Sequence, residues 1–173
     1  MKPALNVAGF LLAAALAQSA LAGLAGGTAF DLILVAVVAV GLWHGRVAGL
    51  AAGAVAGLLQ DALGGGVLGL SGLGKCVAGY LAGVAATQFI VTRAAPRAVV
   101  FAGGTVLSAG AFMGLSALLG LRRYDQPFLD IAIQAIVNTA AGVLLFAVVE
   151  AAPAAQRLAR IALERRRRRR SFK

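Results

Sequence analysis

The chain holds one cysteine and one histidine. Cys76 therefore has no partner for an intramolecular disulfide, cysteine cannot build a metal cluster, and His44 alone excludes most zinc chemistry. A Ser-His-acid set would have only that histidine to draw on. Asp61, in Leu59-Gln60-Asp61-Ala62, lacks the Gly-x-Gly-Asp setting of an intramembrane aspartyl protease. Neither an enzyme nor a cofactor is expected. Charge is scarce too: charged residues make up 13% of the chain, against about 25% in soluble domains.

Apolar surface is what the chain has in quantity, at 61% of 173 residues. Soluble domains carry about 45–50%. A core of this size cannot bury the excess, so a second apolar solvent, the bilayer, is implied. Glycine is abundant as well, with 23 residues. In water each interior glycine would weaken a helix by about 0.8–1 kcal/mol relative to alanine. In lipid the backbone has no water to bond, so helix is enforced and small residues let helices approach closely.

Six apolar runs follow one another, at residues 4–24, 28–43, 47–62, 67–90, 98–121 and 128–152. The breaks between them are Gly26-Gly27, His44-Gly45-Arg46, Gly64-Gly65-Gly66, the stretch of Arg93, Pro96 and Arg97, and Arg122-Arg123-Tyr124-Asp125-Gln126-Pro127; Pro153 closes the last run. The predicted fold class is an all-α integral membrane protein, with about six transmembrane helices in a bundle over residues 1–152 and an arginine-rich tail over 153–173. The second run is short for a span, near the lower limit of roughly 17 residues. Lys2, the first run and Ala20-Leu21-Ala22 resemble a signal peptide. The near-spanning length of that run, with more runs behind it, favours a retained helix.

An even number of spans puts both termini on one side. The positive-inside rule makes that side cytoplasmic, where Lys2, Arg46, Arg93, Arg97 and the tail would gather. Asp31, Asp61 and Asp125 fall outside, with Arg122 and Arg123 as the one violation. The net charge of +10 comes largely from the tail, where Arg165, Arg166, Arg167, Arg168, Arg169 and Arg170 form an unbroken run. Beside a last span this reads as a clamp on anionic lipid headgroups, worth about 1 kcal/mol per residue, and not as a nucleic-acid site.

Glycines at 41, 45, 49, 53 and 57 recur every fourth residue. Gly49, Gly53 and Gly57 give the third run a small-residue groove, and Gly79 with Gly83 repeats the spacing in the fourth. Such grooves serve packing inside a bundle or docking of a partner's transmembrane helix, and these five glycines are the candidate partner-binding residues. A charge at bilayer depth costs at least about 2.5–3.5 kcal/mol unless paired or hydrated. Asp31, Asp61, Lys75 and Asp130 are therefore all candidate sites. Asp61 and Lys75 flank the triple-glycine turn and are expected to pair; Lys75 snorkelling to the headgroups is the alternative. Asp130, Gln134 and Asn138 stripe one face of the last run, which must look into the bundle, a cavity or a partner.

The segment 31–83 carries a family resemblance. Asp31 opens a short run, His44-Gly45-Arg46 turns the chain, and Gly49-Leu50 precedes Gly53-xxx-Gly57-Leu58-Leu59-x-Asp61. Leu68-Gly69-Leu70, Leu73 and Gly79-Tyr80-Leu81-Ala82-Gly83 follow. The pattern resembles MreD, the rod shape-determining membrane protein family of bacteria. The resemblance implies a non-enzymatic subunit of the cell-elongation machinery in the cytoplasmic membrane. Its partners would be the single-span protein MreC and, directly or indirectly, cytoskeletal MreB and the wall-synthesising glycosyltransferase–transpeptidase pair. A similar pattern occurs in the substrate-binding subunits (S-components) of energy-coupling-factor vitamin transporters, which also have about six spans. Their pockets are typically polar and aromatic-rich, whereas aromatics here are 6% and Trp43 is expected at the inner interface.

Overall fold

The computed structural model describes the backbone of residues 2–25, 30–65, 67–89, 91, 93–121 and 125–171, and the side chains of 5–21, 30–65, 67–89, 91, 93–121 and 125–152. Each apolar run becomes a helix: α1 (Lys2–Ala25), α2 (Leu32–His44), α3 (Arg46–Gly64), α4 (Leu70–Gln88), α5 (Ala94–Leu118) and α6 (Pro127–Ser171). The fold is an all-α helical bundle of membrane type. Among the described residues three helices are long and apolar enough to cross a membrane: Arg46–Gly64, Ala94–Leu118 and Pro127–Ala152. Within α1 the stretch Leu5–Leu21 is apolar, α2 (Leu32–His44) is a short apolar helix, and α4 interrupts its apolar residues with Lys75 and four glycines. The expectation of about six spans thus resolves, among the described residues, into six helices of unequal length.

Helix α2 shows why a short run need not fail. Its 13 residues reach about 20 Å at 1.5 Å per residue, well short of a hydrocarbon core of about 30 Å. Every residue from Ile33 to Gly41 is buried, however. A helix apolar on all sides and buried on all sides is the centre of a bundle. It packs against α1, α3, α4 and α5. Leu11 and Ala15 of α1 and Ala52 and Ala56 of α3 join Ile33, Ala36, Val37 and Val40 in the core. At its far end Trp43 meets Phe10 of α1, with ring centroids 5.7 Å apart. Gly45 alone links α2 to α3, at φ 88°, where only glycine is unstrained.

The outward faces are also apolar. Val47, Val55, Leu63, Val99, Leu118, Phe128 and Ile136 are all more than 60% exposed. In water such a surface would be an aggregation liability; in a bilayer it is the solvated face.

The chain divides into two units, residues 1–142 and 143–173. The first holds α1 to α5 and the start of α6; the second is the rest of α6. Pro153, expected to end the last run, lies inside α6. Proline removes one backbone hydrogen bond but does not oblige a helix to stop. The side chains of Lys2 and of Arg165 to Arg170, and all of Arg122 and Arg123, lie outside the described residues. The lipid-clamp and loop-charge expectations fall there.

Candidate functional site

At one end of the bundle α1, α3 and α5 finish and α2, α4 and α6 begin. The first peptide N–H groups of a helix have no partner within it. Buried helix starts must find acceptors, and two aspartates supply them here.

Asp31 is the N-cap of α2, with Oδ1 accepting from the Leu34 N–H at 2.8 Å. The Ile33 N–H donates to Gln18 Oε1 of α1 at 3.1 Å. The Asp31 N–H donates to Asn138 Oδ1 of α6 at 2.8 Å. Asn138 Nδ2 in turn donates to Thr105 Oγ1 of α5 at 3.3 Å, and that hydroxyl donates to the Phe101 carbonyl at 2.8 Å. The second carboxylate oxygen of Asp31 receives Lys75 Nζ of α4 at 2.5 Å, with Lys75 only 2% exposed. Asp31 itself thus ties α2 to α4 and α6, and the bonds of its neighbours Ile33 and Asn138 extend the network to α1 and α5.

The expected pairing of Asp61 with Lys75 is therefore corrected: the partner is Asp31. Asp61, buried in the last turn of α3, caps α4 instead. Its Oδ2 accepts from the Gly69 N–H at 2.8 Å and the Ser71 N–H at 3.1 Å. The physical reason is local. The N-cap of α4 is Gly69, which has no side chain to accept a bond, so the acceptor comes from α3. A carboxylate there also meets the positive end of the α4 dipole.

The stripe on α6 grades from outside to inside. Asn138 is fully buried and Gln134 half-buried, but Asp130 is exposed, which corrects its assignment as a buried polar group. Asp130 lies in the first turn of α6, where water or headgroups and the helix dipole both favour a carboxylate.

The five groove glycines are also corrected. All are buried, and they face one another across the antiparallel α3–α4 seam. A Cβ on Gly49 would strike the Gly79 carbonyl, one on Gly53 the Lys75 carbonyl, one on Gly57 the Gly72 backbone, and one on Gly83 the Arg46 backbone. The groove is filled by the neighbouring helix of the same chain, so no partner can dock there.

Cavities of two kinds lie among the described residues. A cavity of about 390 Å³ opens beside the Asp31–Lys75 pair, bounded by Gln18, Gln60, Ser71, Ser108 and Gln134 among others. Gln60 Oε1 is buried without a hydrogen-bond partner, a state that costs about 1–3 kcal/mol. A second, more open cleft of about 480 Å³ shares Gln60, Gly64, Ser71 and Phe112 with it and reaches Val67 and Leu121. Between α4 and α5 runs an almost wholly apolar groove of about 440 Å³, lined by Leu73, Val77, Leu107, Gly110, Gly114 and Leu118 among others. A Cβ on Gly110 or Gly114 would meet nothing within 4 Å.

Among the described residues no three His, Cys, Asp or Glu side chains come together to hold a metal. Gln18, Gln60, Thr105 and Ser108 were not singled out from the sequence. Their only signal was a polar side chain set within an apolar run. Compared with protein-family models, curated proteins and solved structures, the chain matches none.

Proposed function

We propose that this chain is a non-enzymatic membrane subunit of the MreD kind, which binds an MreC-like single-span protein and helps to organise bacterial wall synthesis during elongation. The supporting observation is the contrast between its polar and apolar sites. Asp31, Lys75, Asp61 and Asn138 are buried and bonded to other parts of the fold, as structural ties would be. The α4–α5 groove is open, apolar and floored by glycines. A groove of that chemistry suits a transmembrane helix, through close backbone approach and van der Waals packing. In this reading the docking surface lies on α4 and α5, with Leu73, Val77, Leu107 and Leu118 as its walls.

In this reading both termini are cytoplasmic, by the charge asymmetry of the loops. The arginine tail holds the inner leaflet. The end that carries Asp31 and Asp61 then faces outward, toward the partner's external domain.

The test is co-purification from host membranes with Gly110→Leu and Gly114→Leu together. Neither glycine has a neighbour that a side chain would displace, so the fold should persist. Recovery of a single-span partner should fall at least about tenfold, a loss of roughly 1.4 kcal/mol. Unchanged recovery rejects the groove as the docking surface.

A further inference from the structure

Asp61 carries a charge that its surroundings do not balance. It lies in the last turn of α3 and is 5% exposed. Asp31 has Lys75 beside it, but among the described residues Asp61 accepts only from the peptide N–H groups of Gly69 and Ser71. The adjoining cleft of about 480 Å³ has no basic side chain in its described lining. A carboxylate held this far from water is costly unless it is paired or hydrated.

Its two oxygens are used unequally. Oδ2 takes the Gly69 N–H at 2.8 Å and the Ser71 N–H at 3.1 Å. Oδ1 has only the longer arm of the Ser71 bond, at 3.3 Å. An ionised carboxylate offers about four lone-pair sites, so Oδ1 keeps acceptor capacity to spare.

The rest of the cleft adds oxygen and negative field. Ser71 and Ser116 line it. Ser116 is 2% exposed, and its hydroxyl forms no hydrogen bond with the described residues. That oxygen is nevertheless not sealed off, so it opens to the cleft that it lines. The C-terminal turns of α3, at Gly64, and of α5, at Ser116, border the same space. Each helix C-terminus carries about half a negative charge, and the one N-terminus facing them, that of α4, is already met by Asp61.

We propose that this cleft binds a small monovalent inorganic cation of the sodium kind. Asp61 supplies the charge through Oδ1, and the Ser71 and Ser116 hydroxyls with water supply neutral ligands. Hard oxygen ligands select a hard cation, and calcium sites draw on several carboxylates where this one has a single carboxylate. The ion ties the end of α3 to the start of α4 and the end of α5. The cleft shares no lining residue with the α4–α5 groove, so the assignment is independent of the partner reading.

The experiment melts the full chain, in nanodiscs of neutral lipid, in sodium chloride and in choline chloride of equal ionic strength. Sodium NMR line width reports binding directly. Sodium should raise the melting temperature saturably by about 2–4 °C over choline and show a broadened, competable resonance. Asp61→Asn keeps an oxygen for the α4 N–H groups and removes the charge, so the sodium-dependent rise should vanish. Ser116→Ala removes a hydroxyl that no described residue bonds. It should melt normally in choline and bind sodium at least about threefold more weakly. Equal melting in sodium and choline, or undiminished sodium affinity in either folded variant, would overturn the assignment. So would calcium replacing sodium at about a hundredfold lower concentration, the mark of a divalent site. A sodium response that arises only with Arg122→Ala and Arg123→Ala together would overturn it too, by showing that the chain meets the charge itself.

Discussion

Two sets of glycines with the same four-residue spacing have opposite fates in this bundle. Those of α3 and α4 lie against the backbone of the opposite helix, Gly49 and Gly79 directly facing each other. Gly110 and Gly114 of α5 have open space before them. The pattern marks where a helix can be approached closely; it does not say by what. On α3 the approach is by the next helix of the chain, because the short turn after Gly64 returns α4 along the same face. On α5 an added Cβ at either glycine meets nothing within 4 Å.

The sharpest way to break this comparison is to place the same substitution in both sets. Gly53→Leu must push α4 away from α3 along a seam that also positions Lys75. A loss of more than about 3 kcal/mol is expected, read as little monodisperse protein on size-exclusion chromatography. Normal yield would mean that the seam is looser than its geometry.

Asp31→Asn keeps a side-chain acceptor at the α2 N-cap but leaves Lys75 buried without a counter-charge. Its expected cost is about 3–5 kcal/mol in a denaturation series. Asp31→Asn with Lys75→Met should recover most of that, since the pair is costly only when half of it remains. A double variant as unstable as the single would show that Lys75 does not suffer from its lost partner. Asp61→Ala removes the cap of α4 and should cost roughly 1–2 kcal/mol, with the α3–α4 turn the first region to lose hydrogen-exchange protection. The smallest change in stability belongs to Gly110→Leu and Gly114→Leu, within about 0.5 kcal/mol. A large destabilisation there would erase the difference between the two glycine sets.

The helices themselves were legible. The run 47–62 became Arg46–Gly64, the run 67–90 became Leu70–Gln88, and the glycine breaks marked the turns. Asp31 was recognisable as a residue opening a run, which is where an N-cap belongs. Asp61 was misread because its distance from Lys75 along the chain suggested a pair. The glycine at the start of α4 created a stronger and nearer demand for a carboxylate.

Apolarity, glycine breaks and charge asymmetry are properties of neighbouring residues, so the sequence by itself determined an all-helical, membrane-type bundle and roughly where each helix lies. Partner choice was decided only by tertiary structure. Lys75 meets Asp31 across 44 residues, and Asn138 meets the same residue across 107. Nothing local in the chain encodes such a meeting. It follows from how buried α2 sits among its neighbours and from the requirement that every buried polar group at its N-terminus be satisfied.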